Sequence, residues 1–146
     1  MQTSRSINGV RTEVLILSYA DRVLVLLTQL GKVGCLIQAS TPSTIPLPPA
    51  PPLPSLPPIP PSIALTPLFG QPPSPHLQTL FNLYVSQIAS LIWACEGDSA
   101  MRRPVVVGVA LKLSTTSKSA EDEDDLTEDE RSLFKEVMEM VLELVK

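Results

Sequence analysis

The chain has 146 residues, 44% of them apolar and 18% charged, with a formal net charge of −4. That length suits one domain and the apolar share is that of a globular protein, while the acidic balance speaks against nucleic acid as a partner. Residues 1–11 contain no apolar core of a secretory signal, and no apolar stretch approaches the ~20 residues that cross a membrane, so a cytoplasmic protein is expected, with the nucleus also open to it.

Taken in chain order, residues 12–19 (TEVLILSY) and 23–29 (VLVLLTQ) are rich in β-branched and aliphatic side chains and read as strands. Ala20, Asp21 and Arg22 between them read as a tight hairpin. Leu30, Gly31 and Lys32 predict a second turn, leading to a third strand over 33–38. Residues 41–61 (TPSTIPLPPAPPLPSLPPIPP) are proline at eleven of 21 positions. Such a run lacks backbone donors and favours an extended path outside any sheet or helix. Residues 62–69 read as a fourth strand, which Pro67 makes an edge or bent one. Ser74 is placed to cap a helix with Pro75 at its first position, where a missing N–H costs nothing. Leu77, Leu80, Phe81, Tyr84, Val85, Ile88, Leu91 and Ile92 then form one helical stripe.

Residues 104–113 (PVVVGVALKL) read as a strong strand. Residues 114–125 are polar and then acidic, which predicts a solvated linker. A second helix follows, opened by a capping box of Thr127 and Glu130, with Leu133, Phe134, Val137, Met138, Val141, Leu142 and Val145 as its stripe. Glu128, Asp129 and Glu130 lie at its positive dipole end. The expected fold is α+β: a mainly antiparallel sheet of about five to six strands with two amphipathic helices, in the order βββ-β-α-β-α. One domain spans 1–146, interrupted by the proline-rich insertion 41–61 and the linker 114–125. Outside those two segments roughly 110 residues remain, enough for a stable core.

The strands are apolar on both faces. In 23–29, Val23, Val25 and Leu27 point one way while Leu24 and Leu26 point the other. In the late strand, Val105, Val107, Val109 and Leu111 oppose Val106, Gly108 and Ala110. An antiparallel sheet with one wet face normally alternates apolar and polar residues. Two helices of about five turns cover one face of such a sheet, so the other is expected to pack on a second subunit. The less uniformly bulky face, Leu24, Leu26, Thr28, Val106, Gly108 and Ala110, is the expected interface. The competing arrangement splits the helices and long loops between both faces.

Catalytic signals are missing. His76, the single histidine, reads as a solvent-facing residue of a first helical turn. With Cys35 and Cys95, which read as buried or half-buried free thiols, it makes no zinc spacing. Gly31-Lys32 lacks the rest of a phosphate-binding loop, and the acids 121–125 lack the pattern of a calcium loop. No enzyme activity, metal or cofactor is expected. The acids at 121–125 and 128–130 leave the rest of the chain with a net charge of +4, so charge is segregated along the sequence.

The segment VLVLLTQLGKVGCLI (23–37) resembles the central hairpin of the proteasome assembly chaperone 3 family. There an aliphatic strand runs into T-Q, an apolar residue, G-K, an apolar residue and G. LFGQPPSPHLQTLFNLYVSQIA (68–89) is similar to that family's strand end, G-Q, proline and helix closing in V-S-Q. VVVGVALK (105–112) resembles its late strand, TEV (12–14) the start of its first strand, and the last helix its closing helix. Together these cover about 95 residues. The proline tract, residues 95–103 and the acidic linker are longer than in the family, and fall where insertions cost little stability.

The resemblance implies a non-catalytic chaperone that pairs with a proteasome assembly chaperone 4-like subunit or with itself. It further implies binding to α-type proteasome subunits, chiefly the fifth, during assembly of the α ring, with Gln29, Leu30, Gly31 and Lys32 as contact candidates. A different reading makes the chain a small adaptor whose polyproline segment recruits WW- or SH3-like domains. Deleting 41–61 separates the two, since the adaptor alone loses its partner.

Overall fold

Alternating β-branched and aliphatic residues favour extended backbone because their side chains pack on a pleated surface. The computed structural model describes residues 1–7, 9–29, 31, 34–42, 59, 62–72, 74–96, 103–111 and 128–145. Its strands are β1 (Gln2–Ile7), β2 (Val10–Ser18), β3 (Val23–Thr28), β4 (Cys35–Ser40), β5 (Ala64–Phe69) and β6 (Val105–Ala110). Helix α1 (Pro75–Glu96) lies between β5 and β6, and α2 (Glu128–Val145) follows β6. The strands form one sheet in the order β1-β2-β3-β6-β4-β5. All neighbours pair antiparallel except β3 and β6, which run parallel.

The α+β class and the mainly antiparallel sheet agree with the sequence reading, and β1 is an addition to it. Its sequence, QTSRSI, is mostly polar and carries no strand signal by itself; it is held by pairing along β2 from Gln2↔Leu15 to Ile7↔Val10. The hairpin at 20–22 forms as expected, with Tyr19 N–H donating to Arg22 O at 2.9 Å. The hairpin expected between β3 and β4 does not form. β6 is buried along its whole length and inserts between them, parallel to β3 and antiparallel to β4. Its six successive apolar or small residues satisfy both faces of a central strand, and the crossover that a parallel pair requires is supplied by α1.

β5 is an edge strand, as Pro67 required, and its pairing with β4 shifts register between Leu36 and Ile37. Residues 41–63 connect β4 to β5 at the loop end of this pair, where Ser40 pairs with Ala64 and the Thr41 and Ser62 hydroxyls share a 2.7 Å hydrogen bond. Most of the tract, the linker 114–125 and Thr127 of the expected capping box lie outside the described residues.

Both helices pack on the same face. Val14, Ile16, Val25, Leu27, Val107 and Val109 join Tyr84, Ile88, Trp93, Met138 and Val141 in one core. Ser74 caps α1 as expected: its Oγ accepts from Leu77 N–H at 3.3 Å and its carbonyl accepts from Gln78 N–H at 3.0 Å. α1 is buried well beyond its predicted stripe, with Ser86, Gln87, Ala89 and Ser90 enclosed as well. Ser90 Oγ answers this by donating to Ser86 O at 2.8 Å. The start of β6 is pinned to the end of α1 through Trp93 Nε1, which donates to Arg103 O at 3.0 Å.

Candidate functional site

The face of the sheet opposite the helices carries the residues that pattern alone had grouped. Pairing aligns them in rows across the strands. The central row runs Leu15, Leu26, Gly108, Leu36 and Phe69. A second runs Leu17, Leu24, Val106, Gln38 and Thr66, and a third joins Glu13, Thr28 and Ala110. Val106, Gly108 and Ala110 are buried at the sheet's centre, yet Val106 and Ala110 stand outside the helix-side core cluster. Leu15, Leu17, Leu24, Leu26, Thr28 and Leu36 are half-buried. Phe69 at the row's end is 68% exposed and its neighbour Leu68 48%. Among the described residues of these rows, charge lies at one corner, where Arg11 Nη2 meets Glu13 Oε1 at 3.1 Å.

Leu24, Leu26, Thr28, Val106, Gly108 and Ala110 are therefore neighbours on one surface. Leu15, Leu17, Leu36 and Phe69 complete it and were absent from the sequence-based set. The signal for Leu15 and Leu17 was present in VLIL of β2, which is apolar on both parities just as β3 is. Leu36 and Phe69 needed the strand order, because nothing in the sequence says that β6 separates β3 from β4.

The turn after β3 divides differently. Gln29 continues the β3–β6 pairing, its N–H donating to Ala110 O at 2.8 Å. Its side chain turns inward, with Nε2 donating to the buried Thr12 Oγ1 at 3.0 Å. Gly31 and Gly34 both hold φ of 70°, a left-handed conformation that L side chains rarely adopt. At Gly31 an added Cβ meets nothing within 4 Å, whereas at Gly34 it falls 2.2 Å from the carbonyl oxygen of Val109. The spacing of the two glycines thus serves the passage of the chain across the end of β6. Leu30 and Lys32 lie outside the described residues.

His76 is not the solvent-facing residue expected. It is half-buried where the first turns of α1 and α2 meet, with Nε2 at 3.0 and 3.1 Å from the two carboxylate oxygens of Glu130. Nearby, Tyr84 is fully buried against Phe134, ring centroids 5.1 Å apart. Its hydroxyl finds no hydrogen-bond partner among the described residues, and burial, reinforced by the Glu130 charge, pushes its pKa upward. Cys35 and Cys95 are free; Cys35 is half-buried, but Cys95 is exposed rather than enclosed. Burial of part of its surroundings still raises the Cys95 thiol.

An open cleft of about 250 Å³ lies between the ends of β2, α1 and α2, lined by Ile16, Val23, Ile92, Leu144 and Arg103 among others. Arg103 is tied there to Ser18 Oγ and Tyr19 O. Among the described residues no cluster of His, Cys, Asp and Glu is arranged to hold a metal ion, and no helix is long and apolar enough to cross a membrane. Among the described residues the most extended unusual feature is the half-buried apolar face of the sheet that both helices leave open. No protein family and no curated protein matches the chain at the level of sequence.

Proposed function

We propose that the chain is a non-catalytic chaperone of the proteasome assembly chaperone 3 type, working as a dimer with a related, chaperone 4-like subunit or with itself. The observation that carries this reading is the apolar sheet face turned away from both helices, with Leu15, Leu17, Leu24, Leu26 and Leu36 only half-buried. A six-stranded face about six residues deep measures about 29 by 20 Å, roughly 600 Å² before side-chain relief is counted. That approaches the ~800 Å² per partner of a standard stable interface.

The resemblance at 23–37, 68–89 and 105–112 supplies the client: α-type proteasome subunits, chiefly the fifth, held while the seven-membered ring forms. The described geometry supports the motif physically, since both glycines of TQLGKVG occupy left-handed backbone. The mechanism is differential binding. The dimer favours the α subunits in their assembling arrangement and leaves when β subunits compete for an overlapping surface, which requires only that the two assembly states differ in affinity for it.

The test is affinity purification of the tagged chain from native cell extract, with mass spectrometry of the bound proteins. Recovery of α-type subunits without mature β subunits, together with one small chaperone-like chain or more copies of this one, is the expected result. Recovery of WW- or SH3-containing proteins with no proteasome subunit overturns it.

A further inference from the structure

The sheet ends in two edge strands, β1 and β5, and they are built differently. β5 carries Pro67, which has no N–H to offer a further strand, and its pairing with β4 breaks register between Leu36 and Ile37. A proline and a bulge are two of the devices that keep an edge from pairing again. β1 has neither. Its six residues pair with β2 without a break from Gln2↔Leu15 to Ile7↔Val10, and its one charge, Arg5, is engaged with α2. Met1 and Ile16 exchange both backbone hydrogen bonds, at 2.8 and 3.1 Å. In an antiparallel ladder, hydrogen-bonded pairs alternate with non-hydrogen-bonded ones. Thr3, Arg5 and Ile7 therefore bond inward to β2, while the N–H and C=O groups of Gln2, Ser4 and Ser6 point out of the sheet. Among the described residues no backbone group pairs with them.

The helix beside this edge gives it a charge. Arg5 Nη1 lies 2.7 Å from Glu136 Oε2 and 3.4 Å from Glu139 Oε2, and its Nη2 lies 2.7 Å from Glu143 Oε1. Spacings of three and four residues put these carboxylates on one flank of α2. Because a residue of the edge strand reaches all three, that flank runs along β1. Among the described residues Arg5 is the cation that ion-pairs with them, so one positive charge faces three negative ones. An added strand would lie ~4.8 Å outside β1. Its side chains would then fall alternately beside the acidic flank and beside the small polar side chains of Ser4 and Ser6.

We infer that the outer edge of β1 is a strand-addition site for an extended basic segment of another protein, one that carries lysine or arginine at every second position. Backbone pairing with Gln2, Ser4 and Ser6 supplies the affinity. The alternate cations, set against Glu136, Glu139 and Glu143, select the sequence and fix its register. Outward groups repeating every ~6.8 Å over three residues call for a segment of about six residues. The site uses main-chain groups in the plane of the sheet and not its open face, so it stands independently of the dimer and of the chaperone reading.

Fluorescence anisotropy tests it, with a labelled seven-residue peptide alternating lysine with threonine titrated against the full chain. Saturable binding is expected, and a peptide with glutamate in place of each lysine should bind about tenfold more weakly or worse. Ser4→Pro removes the central outward N–H and leaves the inward bonds of Thr3 and Arg5 in place. It should weaken binding about fivefold or more with an unchanged circular dichroism spectrum. Glu136→Gln with Glu143→Gln should weaken the lysine peptide and flatten its salt dependence. A readout on the wild type needs no variant to fold: N-methylation of every lysine or of every threonine in the peptide. One set should abolish binding and the other leave it nearly unchanged, because only alternate amides face β1. A lysine peptide that does not bind overturns the inference. So does equal loss from both methylated sets, which means that a polycation merely adheres to the acidic flank. Self-association that Ser4→Pro abolishes gives the edge to a second copy and overturns it as well.

Discussion

Along β3, Val23, Val25 and Leu27 are at most 2% exposed, while Leu24, Leu26 and Thr28, threaded between them, are only half-buried. Apart from Thr28, both sets are aliphatic. What differs is what lies above them: α1 and α2 close over the first, and neither helix reaches the second. The comparison teaches that apolar content alone does not define a core. A strand can be apolar on both parities while its own chain covers only one of them, and burial tells which face the helices take.

The largest expected effect breaks that comparison directly. Leu27→Ala removes a fully buried side chain from the helix-side core and should cost about 2–5 kcal/mol of stability, independent of protein concentration. Leu26→Ala, one residue earlier, should cost the isolated chain less, with its effect appearing as weaker association. Urea denaturation of both variants at low and high protein concentration decides it. Equal, concentration-independent losses would mean that the two faces are buried by the same chain.

A second contrast sharpens the picture at the end of β6. Gly34→Ala must accept both left-handed backbone and a Cβ 2.2 Å from Val109 O, a backbone atom that cannot swing away. The strand junction has to shift, and about 3 kcal/mol should be lost. Gly31→Ala meets the same φ of 70° in open space and should lose about 1 kcal/mol. Thermal unfolding of the pair measures the difference; equal losses would show that conformation alone, not the close approach to β6, requires glycine at both places.

Much of this architecture was legible because it is written in local pattern. The Ser74–Pro75 start of α1, the 20–22 hairpin, the edge position dictated by Pro67 and the grouping of Leu24, Leu26, Thr28, Val106, Gly108 and Ala110 all follow from period, caps and breakers. What was not legible is long-range. β1 is polar and exists by virtue of its partner β2, with Arg5 reaching Glu136 and Glu143 of α2 at 2.7 Å each. The insertion of β6 between β3 and β4 depends on a crossover that no short window records, and it turned an expected hairpin into two separated strands. His76 gave no sign of Glu130, 54 residues away. Leu36 and Phe69 joined the open face only through that same strand order.

The smallest effect concerns a flaw on the covered side. Tyr84 is wholly enclosed between the helices, and its hydroxyl is the buried side-chain polar atom without a partner among the described residues. Its pKa lies above the ordinary value of 10.0, chiefly through desolvation and secondarily through the Glu130 carboxylate. A raised folded value means that the fold favours the neutral phenol. The associated stability is fully present below 10.0 and is lost as pH rises beyond it, when the unfolded chain ionises freely and the folded one does not. Tyr84→Phe removes both the unsatisfied hydroxyl and the titration. At neutral pH the variant should match or exceed the wild type by up to about 1 kcal/mol. Above pH 10.0 its advantage should widen, because only the wild type still has this phenol to deprotonate. Urea denaturation at both pH values measures this. A variant that is less stable at neutral pH would mean that the hydroxyl has a partner in solution and that the helix-covered face is better satisfied than its geometry indicates.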